Sequence, residues 1–296
     1  MDHAGINHEF LDGVIAGTEV DAYYHLGVTS ADELVQGLRG LRAVILGGSG
    51  PRMDDFARLW SAEHDDAPIV AFPKEERFVI RYTAGVLFAS HGMGMPSASI
   101  ALQELMRLAY FVTDGDPDAL DRIFWARVGT SGGVGLPAGT VVVSTEGVMA
   151  DLEPYRLLDG AGGYHWFDGH FPLEVVFAIL AANSACGFPM ASGRTVAAND
   201  FFVEQFRLDG AIRLATVDDK MSWLHRIHAA GVRNIEMEGA MLAAYLNTWG
   251  FSRFAMVCTT LLDRLDGDQV TSTPEQLHEY GERAGRAIFA YLRTIL

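Results

Sequence analysis

Two glycine-rich turns of this sequence each contain an arginine, a combination that can bind an oxyanion. GGSGPR occupies residues 47–52, and RVGTSGG occupies residues 127–133. Glycine lets backbone N–H groups approach an anion closely, and arginine can add two charged hydrogen bonds. The first turn is neither a dinucleotide fingerprint nor a Walker loop, because its glycine spacing differs and it lacks the Walker lysine. The two turns together predict a phosphate site, with an ordinary tight turn as the alternative for the first.

Arg127 lies within an otherwise apolar run, where a buried arginine is costly unless it meets an anion. Phosphate is one candidate, and a carboxylate of the protein is the other. Glu236 and Glu238 lie at alternating positions of a second apolar run, where they need hydrogen-bond donors. Ribose hydroxyls would supply these donors, and a structural network is the alternative.

The segment NDFFVEQFR, residues 199–207, combines the groups that a pyrimidine base requires. The Gln205 amide can give one hydrogen bond to an imide edge and accept another, and Arg207 can donate to a carbonyl. A phenylalanine can stack on the base plane. An aromatic-rich core strand with polar surface residues is the alternative. The segment TTLLDR, residues 259–264, adds Arg264 near the same cleft.

Apolar runs that suit buried strands alternate with helical patterns along the chain, which predicts an α/β protein with a largely buried sheet. The predicted strands are residues 42–46, 68–72, 78–82, 86–90, 123–128, 140–144, 233–237 and 254–259. The predicted helices are residues 97–111, 173–185, 220–230, 239–249 and 274–296. Because no repeat or linker divides the chain, one domain over residues 1–296 is expected.

The composition narrows the class of partner and the location. A formal charge of −16 argues against nucleic-acid binding. No apolar run is long enough to cross a bilayer, and the first residues lack the basic and apolar segments of a secretory signal. The sequence therefore predicts a cytoplasmic protein without membrane contact. Cys186 and Cys258 form no disulfide framework, and His165 and His170 lack a third metal ligand at a recognised spacing.

The motifs GGSGPR, SHGMGMPS, RVGTSGGVG, DFFVEQFRLDG, GVRNIEMEG and CTTLLDRLDGDQ occur in that order. Across residues 23–269 they resemble the uridine phosphorylases of the nucleoside phosphorylase family, above all the animal-type members. The resemblance implies a three-layer α/β/α sandwich with a mixed, partly barrel-like central sheet. It also implies reversible phosphorolysis of uridine, with deoxyuridine left open, to uracil and ribose 1-phosphate in pyrimidine salvage. Inorganic phosphate is the co-substrate, and neither a metal nor an organic cofactor is expected.

The resemblance also assigns roles to individual residues. The implied phosphate ligands are Gly48, Arg52, Arg127 and Thr130, with Arg77 reaching in from a partner subunit. The implied ribose ligands are Met237 and Glu238, with His25 crossing from the partner. The implied uracil ligands are Phe201, Gln205 and Arg207. Arg127, Gln205 and Arg207 are expected to act in catalysis, and a homodimer is the smallest active unit that these roles allow.

A few positions depart from the family pattern. Phe206 stands where a small residue is more usual. Arg81 lies close to Arg77 in the sequence and is the alternative candidate for the same phosphate-binding role. Residues 151–171 match poorly and receive no role. Three other functions stay open: a phosphorylase with a different base preference, a nucleosidase that uses water, and a catalytically silent nucleoside-binding homologue.

Overall fold

Strands and helices alternate along residues 6–296, which are the residues that the computed structural model describes. Their contacts group into two compact units. The first holds the described residues up to Ala126 together with Thr248–Phe254, and the second holds Arg127–Asn247 and Ala255–Leu296. Strand β7 (Phe124–Gly133) begins in the first unit and continues in the second. A single domain over the whole chain stays a prediction.

The first unit carries a four-stranded stretch of sheet. Its elements are α1 (His8–Ile15), β1 (Ala22–Tyr23), β2 (Val28–Thr29), α2 (Glu33–Gln36), β3 (Ala43–Gly47), α3 (Gly50–Ala62), β4 (Val70–Ala71), β5 (Ile80–Thr83), β6 (Val86–Ser90), α4 (Met95–Val112) and α5 (Pro117–Asp121). β3 runs parallel to β6, and β5 pairs antiparallel with both β6 and β4. Every residue of β3 and β6 is buried, as expected for strands covered on both faces.

Two local expectations for this unit differ from the structure. The helix α3 starts at Gly50, so Arg52 lies in a first helical turn and not in a loop. The Ser49 side chain accepts a hydrogen bond from the Arg52 N–H at 3.5 Å, and Pro51 suits a first turn because it needs no N–H partner. The strand predicted over residues 68–72 is present but shorter, since it spans Val70–Ala71, and the expectation that it is buried is wrong because both residues are exposed at the end of the sheet. The buried Phe72 follows it and donates its backbone N–H to the Ile80 oxygen at 3.1 Å.

The second unit contains the rest of β7 and the elements that follow it. These are β8 (Val141–Met149), β9 (Arg156–Leu158), β10 (Tyr164–Trp166), α6 (Leu173–Ala182), β11 (Met190–Ala197), α7 (Val217–Ala229), β12 (Val232–Glu236), α8 (Gly239–Trp249, whose last two residues fall in the first unit), β13 (Phe254–Asp263, whose first residue falls in the first unit) and α9 (Pro274–Ile295). The strands β9 and β10 form a separate antiparallel hairpin. The other five strands carry the candidate site.

Those five strands close on themselves in the order β12, β11, β8, β13 and β7. β11 is parallel to β8 and to β12, whereas β13 is antiparallel to β8. The ring closes where β12 meets β7, with Asn234 opposite Gly133 and Ile235 opposite Gly132. Helix α6 packs on β8, and α7 packs on β12. The expected α/β class with a mixed, partly barrel-like sheet is thus confirmed.

Closure of the ring brings distant residues of the sequence onto neighbouring strands. Arg127 lies on β7, Glu236 ends β12, and Cys258 lies on β13. The strand β11 was missed in the sequence because its residues, MASGRTVA, include a glycine, a serine and an arginine that break any apolar run. Its pairing with β12 on one side and β8 on the other supplies the stability that its composition does not indicate.

The longest helix among residues 6–296 is α9, with 22 residues. A reciprocal Thr273–Gln276 capping box starts it, and its buried face packs against α6. Its other face carries glutamates and arginines. Within this part of the chain, no helix is both long and apolar enough to span a membrane.

Candidate functional site

Arg127 lies at the centre of a buried polar cluster in the second unit. Its Nη1 donates to Cys258 Sγ at 2.9 Å and lies 3.2 Å from Glu236 Oε2, and its Nη2 donates to Glu238. All three charged side chains are at most 7% exposed. A carboxylate partner for Arg127, one of the two anions that the sequence allowed, is therefore present. Its role in phosphate binding, and that of the half-buried Thr130 three residues later, stay predictions.

The local sequence explains how this cluster fits between the strands. A Cβ atom on Gly129 would lie 2.9 Å from Arg127 Nη1, so glycine at this position leaves room for the guanidinium over the strand. The carboxylate of Glu236 accepts the N–H groups of Glu238 at 2.9 Å and Gly239 at 2.8 Å, where α8 begins. These bonds fix the backbone on both sides of Met237, which is half-buried between the two glutamates.

Burial decides the protonation states in this cluster. The pKa of Glu236 is raised to about 7, mainly by burial and also by the neighbouring Glu238, while the charge of Arg127 opposes this rise. Burial also raises the pKa of Cys258 to about 12, so the residue stays a neutral thiol. Burial opposes the charge of Arg127, but Glu238, Cys258 and Glu236 together outweigh it and raise the pKa of the guanidinium. The cluster thus keeps a permanent cation beside a carboxyl that can change its charge near neutral pH.

Residues 199–207 form successive turns, so the alternative of an aromatic-rich core strand does not apply. Asp200 Oδ1 accepts the N–H groups of Phe202, at 2.9 Å, and of Val203. Phe201 is 45% exposed, which leaves a ring face open to a ligand, whereas Gln205 is 4% exposed. The segment therefore presents one open aromatic ring and one buried amide.

The amide of Gln205 has a fixed orientation because Arg264 holds it. Arg264 Nη2 donates to the Gln205 backbone oxygen at 2.7 Å, and Nη1 donates to Gln205 Oε1 at 3.4 Å. Since a guanidinium can only donate, the amide atom that faces it must be the oxygen. Arg264 is 1% exposed. The sequence placed Arg264 near the cleft but could not reveal this contact, because 59 residues separate the partners.

The carboxylate of Asp209 binds the Nε and Nη2 edge of the Arg207 guanidinium and does not bind Nη1. Arg207 Nε and Nη2 donate to the two oxygens of Asp209 at 3.0 and 2.6 Å, and Nη2 also donates to the backbone oxygen of Asp268 at 3.1 Å. Its guanidinium carbon lies 4.7 Å from the centre of the Phe201 ring. These bonds leave the two protons of Nη1 for another acceptor. Hydrogen bonding from Arg207 in turn lowers the pKa of Asp209.

Phe206 adopts a left-handed backbone with φ of 53° and stacks its ring on Trp223 at 4.8 Å. The ring packs against the hydrophobic core cluster around α7. This placement explains how a large residue is tolerated where a small one is more usual. Packing of the ring offsets a backbone conformation that costs a non-glycine residue about 1–2 kcal/mol.

The left-handed backbone and the packed ring of Phe206 predict how its replacement changes the stability of the protein. We expect Phe206→Ala to lower the free energy of unfolding by roughly 2–3 kcal/mol, because the ring is lost and the strain remains. Phe206→Gly should cost about 1 kcal/mol less, since glycine adopts the left-handed conformation freely. Urea unfolding of both variants checks this order. A glycine variant less stable than the alanine variant would contradict it.

In the first unit, the predicted phosphate turn is tightly packed. A Cβ atom on Gly48 would lie 3.0 Å from the backbone oxygen of Gly92, in the SHGMG segment. The turn leads directly into α3, whose N–H groups carry a partial positive charge at this end. Gly48 and Arg52 therefore lie where the backbone favours an anion, and their role as phosphate ligands stays a prediction.

His25 is oriented by a buried carboxylate on α4. Glu104 accepts a hydrogen bond from His25 Nδ1 at 2.6 Å and from the backbone N–H groups of His25 and Leu26. This contact holds the Nδ1 proton, so Nε2 is the nitrogen that remains for a ligand. Glu104 is 7% exposed, and its place among the apolar residues of a helix was the sequence signal that could have revealed it. Contact of His25 with ribose stays a prediction.

The structure also distinguishes Arg77 from Arg81, the two candidates for the same phosphate-binding role. Arg81 is engaged in two ion pairs, with Asp54 at 2.6 Å and Glu75 at 2.8 Å. Arg77 is exposed in the segment between β4 and β5, and no ion pair within residues 6–296 involves it. This favours Arg77 as the arginine that remains for a phosphate, and that role stays a prediction.

The histidines of the 163–170 segment do not form a metal site in the described part of the chain. His170 Nδ1 contacts Asp168 at 2.6 Å on the surface, and His165 is exposed on β10. No group of three or more His, Cys, Asp or Glu side chains in residues 6–296 could hold a metal ion.

Comparison with known proteins extends the similarity to almost the whole chain. The family model of the phosphorylase superfamily matches residues 42–296. The uridine and thymidine phosphorylase of Caenorhabditis elegans is 37% identical over 275 residues, which cover 92% of this chain and 90% of the relative. The inactive uridine phosphorylase B of Schistosoma mansoni is 30% identical over 282 residues, 92% of each chain.

Solved structures agree with the sequence comparison. The crystal structure of a Schistosoma mansoni uridine phosphorylase in complex with uracil matches with a TM-score of 0.86 and 30% sequence identity. The match covers 98% of both chains. The similarity therefore extends to the fold as well as to the motifs.

Proposed function

The chain belongs to the phosphorylase superfamily, and from that premise we propose that it catalyses the reversible phosphorolysis of uridine to uracil and ribose 1-phosphate. The similarity to uridine phosphorylases over more than nine-tenths of the chain supports this reaction. Deoxyuridine is the further substrate to test. Activity on thymidine is another question, since the relative from Caenorhabditis elegans is named for both nucleosides.

The observation that carries the proposal is the fixed amide of Gln205. With Oε1 turned toward Arg264, the amide keeps a second lone pair on this oxygen for the N3–H of uracil, and its NH₂ group can donate to a carbonyl. The Nη1 of Arg207 supplies a further donor, and the exposed ring of Phe201 supplies a stacking face. This set complements an imide, whereas a purine site would call for an acid.

The same groups explain how the glycosidic bond is weakened. As the bond to N1 lengthens, negative charge spreads onto the uracil carbonyls and positive charge develops on the ribose. Arg207 and the Gln205 NH₂ group therefore bind the departing base more strongly in the transition state than in the ground state. Attack of phosphate on the opposite face of the sugar then gives inversion at the anomeric carbon.

Arg127 and Glu238 fit the ribose and phosphate side of this reaction. The Nε of Arg127 is buried and has no acceptor within residues 6–296, although a buried donor without a partner is costly. A phosphate oxygen would satisfy it. The carboxylate of Glu238 lies beside Arg127, and a carboxylate is the type of acceptor that ribose hydroxyls require. Phosphate held by Arg127 would stabilise the cationic sugar before it attacks.

The remaining assignments are part of the proposal and rest on the resemblance of the motifs. Gly48, Arg52, Thr130 and Arg77 are assigned to phosphate, with Arg77 reaching in from a partner subunit. Met237 and the partner-derived His25 are assigned to ribose. A cytoplasmic homodimer is the expected form of the enzyme. The reaction transfers a glycosyl group without a change of oxidation state, so it demands no organic cofactor, and the phosphate oxygen is the only nucleophile.

The second candidate is a catalytically silent nucleoside-binding protein. One observation favours it: a relative with 30% identity is named an inactive uridine phosphorylase. Such a protein would keep the base-binding side chains without turnover. Binding of uridine must therefore be measured separately from its conversion.

The test mixes the purified protein with uridine and follows the release of uracil with and without saturating phosphate. We expect release only with phosphate, together with stoichiometric ribose 1-phosphate. Release without phosphate would identify a hydrolase. Calorimetric binding of uridine without release of uracil would identify the silent homologue, and turnover of inosine alone would change the base assignment.

A further inference from the structure

Lys220 is one of only two lysines of this chain, in which arginine supplies most of the positive charge. It lies in the first turns of α7, and its side chain is only 8% exposed. Its Nζ lies 2.8 Å from Asp268 Oδ2, whose side chain is also 8% exposed. Burying an ammonium group is costly unless it is paired, and a pair of this kind often serves geometry more than stability. The position of Asp268 therefore depends on Lys220.

Asp268 connects Lys220 to the base-recognition segment. Its Oδ1 accepts Arg264 Nε at 2.8 Å, and its backbone oxygen accepts Arg207 Nη2 at 3.1 Å. Its Oδ2 also accepts the backbone N–H of Leu208 at 3.4 Å. One aspartate therefore contacts both arginines of the base site and the chain between them.

Arg264 transmits this contact to Gln205. The same guanidinium that meets Asp268 through Nε fixes the Gln205 backbone through Nη2 and its amide oxygen through Nη1. Arg264 and Gln205 are both buried, so neither side chain has water as an alternative partner. The path from Lys220 to the base-recognition amide consists of three contacts between buried groups.

The buried carboxylate of Asp268 is kept ionised by two cations, Arg264 and Lys220. Burial opposes ionisation of Asp268, but hydrogen bonding by Lys220 and the charge of Arg264 outweigh it and lower the pKa of the carboxyl. Burial likewise lowers the pKa of Arg264, and Asp268 counteracts this effect. Without Lys220, Oδ2 of Asp268 would lose its charged partner and the carboxylate could rotate toward other donors. Arg264 Nε would then lose a defined acceptor, and so would the backbone N–H of Leu208, which adjoins Arg207.

We propose that Lys220 is a positioning residue of the base site: through Asp268 it holds Arg207 and Arg264, and with them Gln205, in the geometry that recognises an imide. This inference rests on the proposed function, because it assumes that Gln205 and Arg207 bind uracil. Lys220 itself contacts no substrate. A purely structural role, in which Lys220 only attaches α7 to the loop after β13, is the alternative that the test must separate.

The test compares Lys220→Met with Arg226→Met, which removes the same charge from an exposed position of the same helix. For Lys220→Met we expect kcat/KM for uridine to fall by about 10- to 100-fold, as a small misplacement of binding groups typically causes. The KM for phosphate should stay within about twofold, and Arg226→Met should match the wild type within about twofold. Lys220→Arg should recover part of the loss, because it restores a cation beside Asp268.

Several outcomes would overturn the inference. One is a folded Lys220→Met variant with wild-type kcat/KM for uridine, and another is an equal loss for uridine and phosphate that follows the fall in Tm. If Lys220→Met does not fold, Lys220→Gln, which can still donate to Asp268, takes its place under the same criteria. If the wild type itself shows no phosphorolysis, the proposed function fails first, and calorimetric affinity for uracil then decides the inference: unchanged binding in the variant overturns it.

Discussion

Replacing Arg127 by methionine is expected to lower the free energy of unfolding by about 3–5 kcal/mol, because Glu236 and Glu238 would remain buried together without their cation. The matched control is Arg194→Met. Arg194 also pairs with a glutamate, Glu146, in the same unit, but both side chains are more than 20% exposed. The control should cost about 1 kcal/mol or less. Urea unfolding of both variants measures the difference.

The loss in Arg127→Met should also depend on pH, with a sign that follows from Glu236. Its pKa in the folded protein is raised above the value in the unfolded chain, so the folded state binds more protons between these two values. The contribution of Glu236 to the free energy of unfolding is therefore fully present below about pH 4.5, and it is lost as the pH rises through about 7. Removal of Arg127 raises the pKa further, and the deficit of the variant should be larger at pH 8 than at pH 5. A deficit that does not change with pH would contradict this account.

The other large effect is expected from Arg207→Ala, which should reduce kcat/KM for uridine by about 10²–10³-fold. The free Nη1 of Arg207 is proposed to meet the uracil carbonyl on which charge develops, so its loss raises the barrier for bond cleavage. Initial rates at saturating phosphate measure the effect. The control is Arg213→Ala, an exposed arginine six positions further whose Nε bonds the Ala215 backbone oxygen.

Arg207→Ala also tests the silent-homologue alternative when binding is measured beside turnover. A transition-state contact should reduce kcat more than it weakens binding of uridine. A variant with wild-type turnover would remove Arg207 from the mechanism. Equal losses in affinity and turnover would assign it to ground-state binding of the base.

The sequence predicted the elements that carry long apolar runs and missed those whose stability comes from their neighbours. The buried strands β3 and β6 were clear because every residue in them is apolar or small. The strand β11 was hidden by its polar composition, and the glycine-proline start of helix α3 is typical of a loop. The secondary structure of such segments depends on contacts with distant parts of the chain, and these contacts cannot be deduced from the local residue pattern.

For the candidate site, the sequence indicated which residues need partners but not which partners they have. It marked Arg127 as requiring an anion, and the structure supplies two carboxylates more than a hundred positions away. It marked Gln205 as a base-recognition amide, yet its orientation depends on Arg264, and the link from Arg264 to Lys220 passes through Asp268. Residue type predicts the chemistry, whereas the contacts that set geometry arise only when distant segments meet.

The order of strands in the five-stranded ring has a consequence for how this unit folds. The last strand within residues 6–296, β13, lies between β7 and β8, which are made more than a hundred residues earlier. During synthesis these two strands emerge without the neighbour that separates them, with unpaired edges that invite wrong pairings. Strand-by-strand assembly in the order of translation cannot complete the ring, because its final piece enters the middle. The polar cluster of Arg127 thus forms in a late, long-range step of a slow-folding topology, after Cys258 has left the ribosome.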